Sequence, residues 1–402
     1  MPAYLDHAAT SPLLTEAKEA MGPWLAGGFG NPSGSHSIAR AARKAIEEAR
    51  DTVADCLGVL PGNVVFTGGG TESDNLAVLG RARAVPGPLA VSAIEHHAVL
   101  HAAHAAERLA GTPLRTIGCS TDGIVDLDAL GSALDDSVSL VSVQLVNNEV
   151  GTLQPLAEVA RIVRRRAPGA ALHTDAVQAA PWYDVAQLGA GADLVSVSAH
   201  KFGGPQGVGA LAFRRPVELE PLLYGGPQER ERRAGTHNVA GIVGMAAALE
   251  VTARQRDAAC RRVRALRDRL LAGLLVRTAS TYETAAGREK APGHCHVTID
   301  GVESEALLVL LDGYGVCASA GSACASGAME PSHVLTAMGY SAEQALGALR
   351  LTLGHASTEA DVDLALRAVP AAVAQLRGFS PRGAGAPAPI SWTPGQTAGA
   401  LA

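Results

Sequence analysis

Lysine is scarce in this chain of 402 residues: Lys18, Lys44, Lys201 and Lys290 are the only four. A chemically special amine therefore has few candidates. Six cysteines (Cys56, Cys119, Cys260, Cys295, Cys317 and Cys324) occur without a CxxC pair, which fits reduced thiols better than a disulfide framework or a structural zinc site. No apolar run is long enough to cross a bilayer, and the opening Met-Pro-Ala-Tyr-Leu-Asp has no basic stretch followed by an apolar one. No membrane association is expected, and a cytoplasmic location is. Excess positive charge is missing too: a net charge of -6 and a pI near 6.1 argue against a nucleic acid held by a general positive field. Arg164-Arg165-Arg166 reads as the solvated end of a helix. There is no internal repeat.

What is present is a globular balance, 47% hydrophobic against 18% charged residues, on a chain long enough for two domains. From about Thr15 to Glu250, short apolar runs alternate with amphipathic helical stretches, the pattern of an α/β domain with a largely parallel sheet. The runs at 64–66, 89–91, 140–143, 171–173, 194–197 and 210–213 predict strands; 37–57 and 155–166 predict helices. After Val251 come a long Arg-rich helix, a strand near His296–Ile299 and a helix from Ser304, which reads as a smaller α+β domain. The expected division is 15–255 for the large domain, 1–14 with 256–377 for the small one, and a flexible Pro/Gly/Ala-rich tail over 378–402.

Three segments carry chemistry. Lys201 follows the run 194–197 through Ser198-Ala199-His200 and precedes Phe202-Gly203-Gly204. An amine at a strand end, shielded from water, has a lowered pKa and can form a Schiff base, while glycines permit close approach of a bulky group. Val64-Val65-Phe66 runs into Thr67-Gly68-Gly69-Gly70-Thr71, a glycine loop and helix start that favours a phosphate, with Thr71 and Asp74 at capping-box spacing. It matches neither a dinucleotide-binding turn nor a P-loop. Asp175 closes the run 171–173, with Gln178 three residues on; a carboxylate there can keep a pyridine nitrogen protonated. Taken singly, each segment also reads as an ordinary turn, cap or surface amine.

In order along the chain, Tyr4-Leu5-Asp6-His7-Ala8-Ala9-Thr10, Gly70-Thr71-Glu72-Ser73-Asp74-Asn75, Glu95-His96, Asn147-Asn148-Glu149, Asp175-Ala176-Val177-Gln178, Ser198-Ala199-His200-Lys201, Arg233-Ala234-Gly235-Thr236, Gly321-Ser322-Ala323-Cys324 and Leu349-Arg350 resemble the motifs of cysteine desulfurases. Those are pyridoxal-phosphate enzymes of the class V aminotransferase group. The resemblance implies a fold-type I transferase, with a seven-stranded, mostly parallel sheet in the large domain. It implies that Lys201 holds the cofactor, Asp175 pairs with its pyridine nitrogen, Gln178 with its ring oxygen, and His96 stacks on the ring. Gly70, Thr71, Ser198 and His200 would hold the phosphate, joined by Thr236 from the second subunit of a homodimer. Asn148 would serve both cofactor and substrate, and Arg350 the substrate carboxylate.

Lys201, His96 and Cys324 are then the catalytic residues, and L-cysteine the substrate. Cys324 sits among small residues with almost nothing to pack, as a mobile nucleophile would, and the resemblance makes it the receiver of sulfur as a persulfide. The acceptor beyond it would be an iron–sulfur scaffold or a thiolation enzyme. A selenocysteine or C–S lyase of the same fold is the alternative. His97 is expected to be a helix residue beside the stacking His96. His294 and His296 share one strand face, expected to be solvated, and no metal is expected.

Overall fold

The computed structural model describes residues 2–320 and 331–378; Cys324 and the tail after Gly378 lie outside them. Seven strands form one sheet in the order Val64–Thr67, Gly209–Phe213, Leu194–Ser198, Ala171–Asp175, Leu140–Ser142, Leu89–Ser92 and Leu114–Ile117. Gly209–Phe213 runs antiparallel to both neighbours and every other pair is parallel, so the expected sheet is present. Every residue of Leu140–Ser142, Ala171–Asp175 and Leu194–Ser198 is buried, which is why these strands read as nearly continuous apolar runs. Their polar members satisfy one another. The His173 ring bridges the Ser142 hydroxyl at 2.9 Å and the Ser196 hydroxyl at 3.0 Å, and Thr174 Oγ1 donates to the Val143 carbonyl at 2.8 Å.

The helix Ser37–Leu57 buries Ala39, Ala42, Ile46, Ala49, Val53 and Leu57, a stripe at three- and four-residue spacing. His36 Nδ1 accepts from the Ala39 N–H at its start, and Gly58, at φ 66, ends it in the left-handed region open to glycine. It packs on Val239–Arg277, a helix of 39 residues and so about 58 Å long. Position 255, where the large domain was expected to end, falls inside that helix. Beyond it lies an antiparallel sheet ordered Ala348–Thr352, His294–Ile299 and Thr281–Glu283, and Ala3–Tyr4 pairs in parallel with Val316–Cys317. Arg165 and Arg166 are exposed as expected, whereas Arg164 is fastened to Asp193 at 2.6 Å. No described helix is long and apolar enough to cross a membrane.

One buried ion pair holds the segment that leads to Arg233-Ala234-Gly235-Thr236. Glu229 accepts two bonds from the Arg50 guanidinium at 2.8 Å each, one from the Phe66 N–H at 2.9 Å, and lies 2.7 Å from His237 Nε2. Glu229, Arg230 and Glu231 all have left-handed backbone, with φ of 48, 56 and 65°, so the carboxylate anchors a strained stretch. Burial alone would raise the Glu229 pKa, but the bonds from His237 and Arg50 outweigh it and hold the group at about 2. Glu229→Gln leaves the buried guanidinium without its buried charge partner, with only the half-exposed Glu47 at 3.3 Å remaining, and should destabilise the fold by about 3 kcal/mol in denaturant titrations. Because the folded pKa lies below the unfolded value of about 4.3, this contribution is complete above the unfolded value and fades as pH falls toward 2.

Candidate active site

The parallel strands end on one side of the sheet, and the candidate residues gather there, as ligand sites do in open α/β sheets. Asp175 and Ser198 are the last residues of their strands, Lys201 follows in a short 3₁₀ turn, and His96 is the N-cap of His97–Ala110. Together with Gly70, Thr71, Asn148, Gln178, His200, Ser319 and Arg350 they line a cavity of about 350 Å³. Of the expected cofactor and substrate residues among those described, only Thr236 is absent from its wall. Thr236 is exposed.

Lys201 Nζ donates to the carbonyls of Ala8 and Ala9 at 2.6 and 2.8 Å. Burial, reinforced by the Arg350 charge and opposed by Asp175 and Asp6, lowers its pKa to about 8. Burial and the charge of Asp74 push Asp175 up to about 7, and no lysine or arginine among the described residues bonds its carboxylate. The ligand atoms of Asp74, His96 and Asp175 lie within 4.8 Å of one another. Burial holds His96 near 4 and therefore neutral; its Nδ1 accepts from the Ala98 N–H at 3.1 Å, which leaves the proton on Nε2. Gln178 donates to the Ala8 carbonyl at 2.8 Å, and His200 Nδ1 meets Thr10 Oγ1 at 3.2 Å.

At the other wall, Arg350 donates to the Asn148 carbonyl at 2.8 Å and to Asp6 at 3.0 Å. Its Nε and the Asn148 side-chain oxygen are buried without a hydrogen-bond partner among the described residues. Backbone bonds tie Ser319, five residues before Cys324 in the sequence, to Arg350.

The helix Gly70–Ala84 begins at the cavity, where its first N–H groups lack intrahelical partners. A Cβ on Gly70 would come within 2.8 Å of Val177 Cγ2, so the turn needs glycine for packing. The expected Thr71–Asp74 capping box does not form. Gly69 is the N-cap, Ser73 shares a 2.8 Å bond with Thr67, and Asp74 is buried 3.5 Å from His173, because the helix starts one residue before Thr71 and turns Asp74 inward. The solvated face expected for His294 and His296 is also overturned. Both rings are buried and held near pKa 3, since their strand is flanked on both sides within the sheet and covered against Gly151 and Arg350. Neither belongs to a metal-ready group among the described residues.

The class-V aminotransferase family matches this chain over residues 3–365. An IscS-like cysteine desulfurase of Mycobacterium tuberculosis is 45% identical over 393 residues, spanning 96% of this chain and 99% of its own. The chain is a member of the cysteine desulfurase family. Among solved structures, a NifS-like protein superposes with a TM-score of 0.84 at 34% identity, covering 92% of this chain and 98% of its own. SspA in complex with cysteine superposes at 0.75 with 31% identity, covering 89% and 100%.

Desulfurases of this family use pyridoxal phosphate, and the cavity fits it. A lysine with a depressed pKa, a buried carboxylate that no described lysine or arginine bonds and a helix N-terminus are what an aldehyde, a pyridine nitrogen and a phosphate require. His97 and Glu149 also line the cavity, and the sequence reading did not place either in the site. Their signal was adjacency alone: each stands next to an expected site residue.

Proposed function

We propose that this desulfurase takes sulfur from L-cysteine, releases L-alanine, and carries the sulfur on Cys324 as a persulfide. The observation that carries the reading is the joint placement of Lys201, Asp175 and Arg350 around one cavity. Bound pyridoxal phosphate supplies a carbonyl carbon for an amine and an electron-withdrawing ring. Lys201 holds it, then takes the substrate Cα proton on Nζ. Asp175 keeps the pyridine nitrogen protonated, Gln178 meets the ring oxygen, and His96 covers the ring. Gly70, Thr71, Ser198 and His200 hold the phosphate. The Arg350 guanidinium and Asn148 orient the substrate carboxylate, which explains the polar atoms left unpartnered there. The solved complex of SspA with cysteine supports that substrate. Incubation with L-cysteine and a reductant should give alanine and sulfide in equal amounts; sulfide with pyruvate in place of alanine would refute the reading.

The protein is proposed to work as a cytoplasmic homodimer that passes sulfur to a protein acceptor, an iron–sulfur scaffold or a thiolation enzyme, with no direct nucleic-acid contact. Thr236, exposed and outside its own chain's cavity, suits a hydroxyl lent to the partner's phosphate site. Thr236→Val should weaken cofactor retention by about 1 kcal/mol, roughly fivefold, in equilibrium dialysis. The division into domains 15–255 and 1–14 with 256–377 is likewise proposed, with Val239–Arg277 crossing between them.

A further inference from the structure

Two buried acids beside Asp175 have no role in the account so far. Asp74 and Glu95 are 1% and 0% exposed. A carboxylate oxygen of Asp74 lies within 4.8 Å of one from Asp175 and of a ring nitrogen of His96. Asp74 lines the cavity, and its Oδ1 has no hydrogen-bond partner among the described residues. An oxygen left bare at that depth is stable only beside a proton or a cation. No described lysine or arginine forms an ion pair with Asp74 or Glu95.

A neutral imidazole stands between these two acids. His173 Nε2 faces Ser196 Oγ at 3.0 Å and Asp74 Oδ1 at 3.5 Å. On its other side Nδ1 faces Ser142 Oγ at 2.9 Å, and that hydroxyl lies 3.2 Å from Glu95 Oε1. Burial holds the His173 pKa near 4, so the ring carries one hydrogen. With that hydrogen on Nδ1, the ring donates to Ser142 and Ser142 donates to an anionic Glu95. The bare Nε2 then takes the Ser196 hydrogen, and Asp74, left without a donor, must be protonated. With the hydrogen on Nε2, the ring donates to Ser196, whose own hydrogen is free for Asp74, while Nδ1 takes the Ser142 hydrogen and Glu95 must be protonated. Either way one proton serves the two acids, and the tautomer of His173 follows it.

The second arrangement is the favoured one. Burial and the charges of Asp175 and Asp74 raise Glu95 well above the carboxylate range, whereas burial takes Asp74 to about 7 against a bond from Ser196. The groups facing Asp74 are His173 and Asp175 on Ala171–Asp175, Ser196 on Leu194–Ser198, and Glu95 and His96 after Leu89–Ser92.

Resting on the desulfurase reading and its cofactor, we propose that Asp74 is a positioning residue: an anion beside Asp175 that keeps in place the proton shared by Asp175 and the pyridine nitrogen, while Glu95 stores the proton that Asp74 gives up. Hydrogens and charge balance along the row. The Asp74 hydrogen passes to Ser196 and the Ser196 hydrogen to His173 Nε2; the Nδ1 hydrogen passes to Ser142 and the Ser142 hydrogen to Glu95. Negative charge thereby moves from Glu95 to Asp74.

The test follows the ring nitrogen in enzyme loaded with pyridoxal phosphate that is isotope-labelled at that atom, read by NMR as pH is raised. Asp74→Asn should lower the pH at which the nitrogen loses its proton by roughly two units, the size of a unit charge removed about 5 Å away at an effective dielectric constant near 20. Asp74→Ser should do the same and stands in if the amide variant does not fold. Glu95→Gln supplies the hydrogen that the protonated acid would, so it should leave the titration within about half a unit. Above the titration, Asp74→Asn should weaken retention of pyridoxal phosphate at least about tenfold, yet leave that of an analogue with carbon in place of the ring nitrogen within about twofold. Equal protonation at every pH in the unsubstituted enzyme and both Asp74 variants overturns the assignment. So does an equal fall in Glu95→Gln, which would put the charge on Glu95, or an equal loss of the carbon analogue, which would make the role one of shape. If Asp175→Asn leaves the nitrogen protonated, or the unsubstituted chain binds no pyridoxal phosphate, the reading of the site fails instead.

Discussion

Lys201→Ala should leave a protein that no longer retains covalent cofactor and makes alanine at a rate lower by roughly 10²–10⁴-fold or more, because one change removes both the anchor and the base. The other amines cannot substitute. Lys18 and Lys44 are exposed, and Lys290 is buried in an ion pair with Glu283 at 2.6 Å. Borohydride reduction of the loaded enzyme followed by peptide mapping should place the label on Lys201; label on any other lysine contradicts the assignment. Loading also has a pH signature. With its pKa lowered to about 8, Lys201 is mostly protonated below that value, and only the free amine can add to a carbonyl. Loading of the apo-protein should therefore speed up about tenfold per pH unit below 8 and level off above it.

Cys324→Ser should keep the bound cofactor and still bind cysteine, yet lose sulfide release by a factor on the order of a thousand, since a hydroxyl is a far poorer nucleophile toward sulfur than a thiolate. The argument runs by elimination. None of the other five cysteines lines the cavity, and burial raises every one of their thiols, Cys119 to about 11 and Cys295 to about 12. At pH 7 they are poor thiolates. Cys56→Ser and Cys260→Ser should leave sulfide release within about twofold of the starting rate. Full activity in Cys324→Ser would replace the persulfide route with direct lyase chemistry.

Much of this site was legible in the sequence because strand-end residues are marked by what precedes them. The strands leading to Asp175 and Lys201 are wholly buried and carry only neutral side chains before the charged residue, so that residue stands out in each. The strand Leu114–Ile117 carried no such mark: it lies at the sheet edge, only Ile117 is buried, and alternation over four residues is a weak signal. His294 and His296 were misread for a related reason. Period-two spacing assigns them to one face of a strand, but burial of that face comes from Gly151 and Arg350, more than fifty residues away in either direction. His97 was passed over as a helix residue, which it is; that the first turn of its helix opens on the cavity depends on how the strand Leu89–Ser92 aims the chain.

The helix Val239–Arg277 has a mechanical consequence. It packs on Thr15–Ala26 and Ser37–Leu57 near one end and on Glu359–Leu376 near the other, with no break in its hydrogen-bonded ladder. A rod of this kind transmits rotation and does not absorb it, so the wall carrying Arg350 cannot swing freely against the wall carrying Lys201. On the proposed assignment, the two ends of the substrate would be gripped at a fixed separation. Adaptation to a longer amino acid would have to come from loop length, while the span between amine and guanidinium stays set by the stiffness of one helix.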